Sequence, residues 1–472
     1  MKPIISTLLT LCVGFNASLA QQSLTLEQCR QMALQSSENI KIADKQFEQA
    51  VAEKQAAFAA YLPKISATGS LTYAFKDIEM NSYLPTFVPD IATAQLKPNL
   101  MPNPIPGATT PVIGPDGNPV FDMYAYYPLE VSVRGAYMAG VTVEQPIFAG
   151  GKIIVGNKMA KVGTEIASEN RALQQASVIA ETDRAYWIYV AVGEKVKILE
   201  KYSALLDFLD SATAVGYAVE MASKNDLLKV QARRGAVRYD LQRARNGLEL
   251  ARMSLCRITG LDYEAQILPA DSLTQAALTQ LPEASSDVTN RPEYRILQRQ
   301  VDMKALHAKM VRADFLPVVG LGAGYSYLNG AKISGQEMSL KLPYAMLSVS
   351  IPLFHFGEGF KKIKSARLQQ EVSQLELEKN AKLLTLELRQ ISKDMQDAYA
   401  MVTTAESALA QASEALRVNS DSYEVGMETL ANLLDAQAQW QQAHSNLIEA
   451  RANFKIKETE WLKATGTLSA EN

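Results

Sequence analysis

The chain repeats itself. Gln145-Pro146-Ile147-Phe148 and Ile351-Pro352-Leu353-Phe354 lie 206 residues apart. The same offset joins Tyr217 to Tyr423, Val219 to Val425, Met221 to Met427 and Leu227-Leu228 to Leu433-Leu434. It continues through Gln231-Ala232 and Gln437-Ala438, Ala244-Arg245 and Ala450-Arg451, and Thr259-Gly260 and Thr465-Gly466, without a gap. Upstream, Tyr61-Leu62-Pro63 matches Phe315-Leu316-Pro317 at an offset of 254, so the first copy carries 48 extra residues. They fall between about Lys76 and Ala136, where ten of the chain's 19 prolines lie. An internal duplication is the first constraint on architecture, and the proline-rich excess reads as a long irregular loop, residues 77–135.

Each copy reads as helix, strand pair, very long helix, break and returning helix. In the second copy Leu388, Ile391, Met395, Ala398, Val402, Ala405, Leu409, Ala412 and Leu416 keep strict 3-4 spacing. The returning helix gives Leu433, Ala436, Trp440, Ala443, Leu447, Ala450, Phe454, Trp461 and Ala464, with Lys457 the one lapse. The first copy holds the same frame at Leu227, Val230, Val237, Leu241, Ala244, Leu248, Ala251, Leu255 and Ile258. A seven-residue period sustained this long means knobs-into-holes packing, which an ordinary amphipathic helix does not require.

The strands alternate instead. Ile65, Ala67, Gly69, Leu71, Tyr73 and Phe75 interleave with Ser66, Thr68, Ser70 and Thr72. Val319, Leu321, Ala323, Tyr325 and Tyr327 interleave with Gly320, Gly322, Gly324 and Ser326. Strands are expected at about 64–76, 136–147, 318–328 and 343–352. Roughly ten residues, apolar on one face and small or polar on the other, suits a membrane barrel with a wet lumen; a soluble half-buried hairpin has the same period.

Residues 1–20 favour the membrane reading. Lys2, the apolar run Ile4–Phe15 and Ser18-Leu19-Ala20 before Gln21 form a signal peptide with a cleavage site. Cleavage removes Cys12 and leaves Cys29 and Cys256, whose pairing the sequence leaves open. The remaining domains are a first repeat over 21–260, an equatorial linker over 261–290, a second repeat over 291–466 and a tail over 467–472. The linker is rich in Ser, Thr, Asp and Gln and is expected on the outside at mid-height.

Composition excludes several classes. Lys plus Arg is 47 and Asp plus Glu is 50, which is no footprint for nucleic acid. The histidines His307, His355 and His444 stand singly, without metal-ligand spacing. No Ser/His/Asp or paired-carboxylate constellation occurs in a recognisable frame, and Gly320–Gly324 lies in a strand where small residues suit a lumen. The chain is expected to be no enzyme and to need no cofactor or metal.

Four strands cannot close a barrel, since closed barrels start near eight, so the chain must oligomerise. A helix from about Glu358 to Ser420 would be on the order of 95 Å long, and two shorter helices would return the chain to the next hairpin. The expected fold is mainly α with membrane β: a helical cylinder below a barrel, with the 77–135 loop outside the cell.

Tyr423-Glu424-Val425-Gly426 followed by Leu433-Leu434-Asp435-Ala436, the Ile258-Thr259-Gly260 helix end, the Leu-Pro entry to each first strand and the Pro-Ile/Leu-Phe exit resemble the TolC-like outer-membrane efflux family. The resemblance covers nearly all of the mature chain, in the family's order. It implies a homotrimer with a twelve-stranded barrel in outer-membrane lipid and a periplasmic helical tunnel. It also implies two partners, a periplasmic adaptor and an inner-membrane efflux or secretion transporter, which energise passive export of small molecules or proteins. A coiled-coil structural or adhesive surface protein anchored in the outer membrane is the alternative; it would usually carry one anchor, not two hairpins.

The resemblance further implies a periplasmic gate at the helix turn-backs. The family's first-turn aspartate falls on Asp226 and its second-turn tyrosine on Tyr423. Of its two ring aspartates, one falls on Asp435 and the other on Asn432, while its constriction arginine falls on Glu428. Lys224 and Lys229 on the opposite turn would then supply the positive charge.

Overall fold

The computed structural model describes residues 22–89, 96–98, 112–113, 119–120, 125–273, 287–333 and 336–468. The expected signal peptide lies outside them. In chain order the elements are β1 (Gln22–Leu24), α1 (Leu26–Ser36), α2 (Glu38–Ala59) and β2 (Lys64–Pro89). Three short strands follow, β3 (Leu96–Pro98), β4 (Val112–Ile113) and β5 (Pro119–Val120), and then β6 (Ala125–Ala149). Next come α3 (Lys152–Ala218), α4 (Lys224–Thr259), β7 (Ile267–Pro269) and α5 (Pro292–Ala313). The chain ends with β8 (Val318–Ile333), β9 (Gln336–Ser350), α6 (Glu358–Glu424) and α7 (Leu430–Thr465).

The duplication appears in these bounds. Helices α3 and α6 have 67 residues each, and α4 and α7 have 36 each. Helices α2 and α5 have 22 each. Every bound within a pair keeps the sequence offset of 206 or 254. The helix stops are matched as well. Gly260 (φ 75°) and Gly466 (φ 73°) cap α4 and α7 in the left-handed region that glycine adopts without strain. A Cβ on Gly260 would collide with Ser36, and one on Gly466 would come within 2.7 Å of the Asn290 carbonyl oxygen. Ser36 and Asn290 are themselves 254 residues apart, so each returning helix abuts the residues just ahead of its own copy's entry helix.

The chain divides into two compact units, a helical one (up to Lys54, Lys158–Ala308 and from Ser365) and a β-rich one (Gln55–Asn157 and Lys309–Lys364). In the helical unit the seam residues meet as the heptads require. Met395, Ala398 and Val402 of α6 pack with Leu447 and Phe454 of α7. Val196 and Leu199 of α3 pack with Leu241 of α4. The lapse at Lys457 is resolved by charge, because its ammonium lies 3.3 Å from Asp394 of α6 and 2.8 Å from Glu460.

The N-terminal segment is fastened at three levels. Thr25 starts α1 with a capping box: its hydroxyl accepts the Gln28 N–H at 3.3 Å, and the Gln28 side-chain oxygen accepts the Thr25 N–H at 3.0 Å. β1 pairs in parallel with β7. The Tyr186 hydroxyl donates to Asp271 at 2.7 Å, and Asp271 also accepts the Leu26 N–H at 2.9 Å. Below this clasp, the Arg30 guanidinium forms two hydrogen bonds of 2.7 Å to the fully buried Asp183. The 261–290 segment is therefore not purely external, since Ile267, Leu273 and Val288 are buried. Cys29 and Cys256 are free thiols in the same apolar cluster. Burial pushes the Cys29 thiol up to about 12, with Asp271 and Asp183 adding to the effect.

In the β unit the strands outrun their expected lengths. β2 and β6 pair from Lys64↔Glu144 to Thr86↔Ala125, with an irregularity between Tyr73 and Ile78. Much of the expected 77–135 loop is thus a hairpin, although Pro85, Pro89 and Pro128 lie within its strands. The reason is the edge. Among the described residues, β6 pairs with β8 only as far out as Val131, and β2's other side meets β3 only at Phe87–Pro89. Beyond those points a strand has one side free of ladder bonds, where a proline is tolerated. β8 and β9 likewise run on to Ile333 and back from Gln336.

Candidate functional site

Two features bear on function: a sheet with two different faces, and two helix turn-backs of matched construction. The main sheet runs β3-β2-β6-β8-β9. Directly paired residues share a face, so the register sorts the side chains. One face carries Ile65, Val143 and Ala323 in one row, Ala67, Val141 and Tyr325 in the next, and Leu71, Tyr137 and Asn329 further along. Leu321 with Leu347 and Val319 with Val349 extend it onto β9. The opposite face carries Ser66, Thr142 and Gly324, then Thr68, Gly140 and Ser326. Ser66 and Thr142 hydrogen-bond across the strands at 2.7 Å. The apolar face is open: Leu71 is 77% exposed and Leu347 67% exposed. Hydrophobic side chains held out on a continuous sheet face match a lipid contact, and the serine, threonine and glycine face matches water. Among the described residues, no helix is long and apolar enough to cross a membrane.

The turn-backs lie in the helical unit. At each, a hydroxyl starts the returning helix: Ser223 Oγ accepts the Asp226 N–H at 3.0 Å, and Thr429 Oγ1 accepts the Asn432 N–H at 3.3 Å. The preceding helix closes with Met221 N–H to Gly216 carbonyl and Met427 N–H to Ser422 carbonyl, both 2.8 Å. That closure needs positive φ one residue earlier. Gly426 supplies it at 75°, but the first copy uses Glu220 at 60°, a strained choice. An apolar cluster joins the copies here, with Leu430 and Leu434 of α7 packed among Tyr202, Leu206, Leu209, Val230 and Val237, and Tyr423 against them.

The expected gate residues fall on these turns, but their bonds are local. Glu428 accepts the Thr429 N–H at 2.8 Å and the Asn432 amide at 2.7 Å. Those bonds, the backbone one foremost, hold its carboxyl below the usual glutamate range. Asp226 accepts from Ser223 at 2.7 Å and Asp435 from Gln439 at 2.7 Å. Among the described residues no ion pair joins Lys224 or Lys229 to Glu428, Asp226 or Asp435 within the chain. The paired charges near the first turn are others: Arg234 and Arg238 both reach Asp207 at 2.8 Å, and Arg234 also reaches Asp210. Their 3-4 spacing on facing helices was the available sequence signal.

A sheet with one apolar and one small, polar face and two coiled helical hairpins in one duplicated chain are the parts from which an outer-membrane channel protein is built. The family model described as "Outer membrane efflux protein" matches residues 288–467, the second repeat. Outer membrane protein TolC of Vibrio cholerae serotype O1 is 21% identical over 343 residues, covering 71% of this chain and 77% of that protein. The alkaline protease secretion protein AprF of Pseudomonas aeruginosa is 25% identical over 243 residues, 49% of each chain. In fold, the chain matches the crystal structure of the Campylobacter jejuni CmeC outer membrane channel with a TM-score of 0.70 at 16% identity, covering 94% of this chain and 85% of that one. The second repeat thus carries the outer membrane efflux protein pattern, and over most of its length the chain is similar to outer-membrane channel proteins, which places it in the outer membrane.

Proposed function

We propose that three copies of this chain form one exit duct across the outer membrane. The observation that carries this is the sheet's open edge: among the described residues β9 pairs only with β8, although its neighbours present a lipid-type face. An unpaired strand edge in hydrocarbon leaves backbone groups unsatisfied at a cost of several kcal/mol each, so the edge must meet another strand. Joining β9 of one copy to β2 of the next around a threefold axis closes β2, β6, β8 and β9 into twelve strands, with the β2–β6 hairpin outside the cell. In this reading the helices form the periplasmic tunnel, a periplasmic adaptor joins it to an inner-membrane transporter, and that transporter supplies energy and selects cargo. Purified protein in planar bilayers should conduct, and native mass should show a trimer. A stable monomer without conductance would leave an anchored stalk instead.

The proposed gate is the set of turn-back residues Asp226, Lys224, Lys229, Tyr423, Glu428, Asn432 and Asp435. Exposed ion pairs contribute only about 0–1 kcal/mol each, so closure depends on symmetric copies acting together and stays weak enough for an adaptor to open. Glu428→Lys removes the acceptor that holds Thr429 and Asn432, sets a positive charge at a helix N-terminus and faces Lys224 and Lys229 with a like charge. Resting conductance should rise, and adding Lys224→Glu or Lys229→Glu should restore closure. A tighter channel in Glu428→Lys would mean that Glu428 faces Asp226 and that this pairing is wrong.

A further inference from the structure

Three glycines of β8, Gly320, Gly322 and Gly324, all lie on the small and polar face of the sheet. Opposite them on β9 stand Ser348, Met346 and Tyr344. Toward β2 that face is mostly serine, threonine and glycine, with Met138 opposite Ser70, whereas on β9 Leu342 and Leu340 continue the row of large side chains beyond Tyr344. Its ring is not directed away from the sheet. A Cβ placed on Gly324 would stand 2.8 Å from both Cζ and Oη of Tyr344 and 3.0 Å from Cε1, so the far end of the ring lies over the Gly324 backbone. Met346 behaves alike, with its Cγ 3.1 Å from a Cβ on Gly322. Real Cβ atoms do not tolerate the first of these distances. The glycines are the space into which the two large side chains fold.

We propose that the glycine row of β8 sets the bore of the duct by letting Tyr344 lie flat on the wall. The inference rests on the reading of this face as the lumen. In a closed barrel an inward tyrosine has two resting places, upright in the water or laid across its neighbour strand. The upright ring would project from every copy at the same height and narrow the passage. Any side chain at Gly324 removes the second place and drives the ring into the bore. A cross-strand aromatic over a glycine also shields backbone and supports the sheet, so the test must separate bore from stability.

β9 runs from Gln336 at the outer turn to Ser350 near α6, which puts Ser348 beyond Tyr344 for anything entering from outside the cell. Ser348→Cys is therefore a reporter past the tyrosine, and the buried Cys29 and Cys256 give no background. Intact cells carrying the full chain are treated with membrane-impermeant maleimides of graded size. Labelling of Ser348→Cys by the largest reagent that enters should fall roughly tenfold on adding Gly324→Val, since passage follows the radius of the lined pore. Gly324→Ala should act in the same direction, more weakly. Tyr344→Ala alone should leave the size limit where it was, and Tyr344→Ala with Gly324→Val should restore it. A size limit unmoved by both Gly324 variants, or widened by Tyr344→Ala alone, overturns the inference while the duct stands. Less folded protein with an unchanged rate per folded chain shows a structural role only, and also overturns it. Failure of the smallest reagent to label Ser348→Cys in any background overturns the lumen assignment itself, and the inference with it.

Discussion

Replacing Asp183 by asparagine is expected to destabilise the helical unit by about 3–5 kcal/mol, the usual result of breaking a buried ion pair from one side. Asp183 is fully buried on α3 and accepts three charge-assisted hydrogen bonds of 2.7 Å: two from Arg30 on α1 and one from Thr459 on α7. One carboxylate thereby holds together the N-terminal segment, the first repeat and the second. Asparagine keeps the shape but removes the negative charge that the two short bonds set against Arg30, itself 5% exposed. Arg30→Met should cost a similar amount from the other side. The double variant Arg30→Met with Asp183→Leu should recover much of the loss, because apolar replacement of both partners removes the desolvation penalty along with the attraction. Thr459→Val should cost less, about 1.5–3 kcal/mol, the net worth of a hydrogen bond to a charged group. All three tryptophans, Trp187, Trp440 and Trp461, lie in the helical unit, so their emission during denaturant unfolding reports that unit alone. An Asp183→Asn midpoint matching that of the parent protein would refute the assignment of this pair as a structural clasp.

That clasp could not be read in the sequence. Arg30 and Asp183 are 153 residues apart, and neither sits in a pattern that marks it as buried. The same holds for β1 and β7, three residues each, which are too short to show a period. The long helices were legible for the opposite reason. A seven-residue repeat accumulates evidence with length, and the duplication supplied each helix twice, so even the Ser223 and Thr429 starts agree at one offset. Strand faces were legible from alternation, but strand ends were not. Prolines at 85, 89 and 128 read as loop, and only the one-sided pairing of the outer hairpin shows why they are tolerated. At the turn-backs, residue positions could be carried over from the family, whereas bonding partners could not. On the sequence resemblance, Glu428 would take the place of the family's arginine, and its local partner Asn432 that of an aspartate. Two departures on one helix turn thus hydrogen-bond to each other.

Adjacent residues of β2 should answer oppositely to the same charge. Leu71 lies on the apolar face, paired with Tyr137, and Ser70 on the small and polar face, paired with Met138. The two are one residue apart near the middle of the regularly paired stretch Lys64–Tyr73, so they differ in face and hardly in depth. If the apolar face meets lipid, Leu71→Arg puts a guanidinium into hydrocarbon and should cost about 2–4 kcal/mol per chain near the bilayer midplane. In a trimer each assembly carries three such charges, so the amount of heat-resistant oligomer recovered from membranes should collapse. On the same reading, Ser70→Arg places its charge in the water of the lumen. Assembly should stay near that of the parent, while the reversal potential under a salt gradient shifts toward anion preference, because a ring of like charge in a pore excludes ions of its own sign. A soluble hairpin with one buried face would lose stability at Leu71 but show no conductance for Ser70→Arg to alter. The reverse outcome, tolerance at Leu71 and failed assembly at Ser70, would turn the barrel inside out and put the Gly324–Tyr344 contact against lipid. Both variants therefore test the face assignment on which the proposed bore depends, and neither touches the residues of that contact.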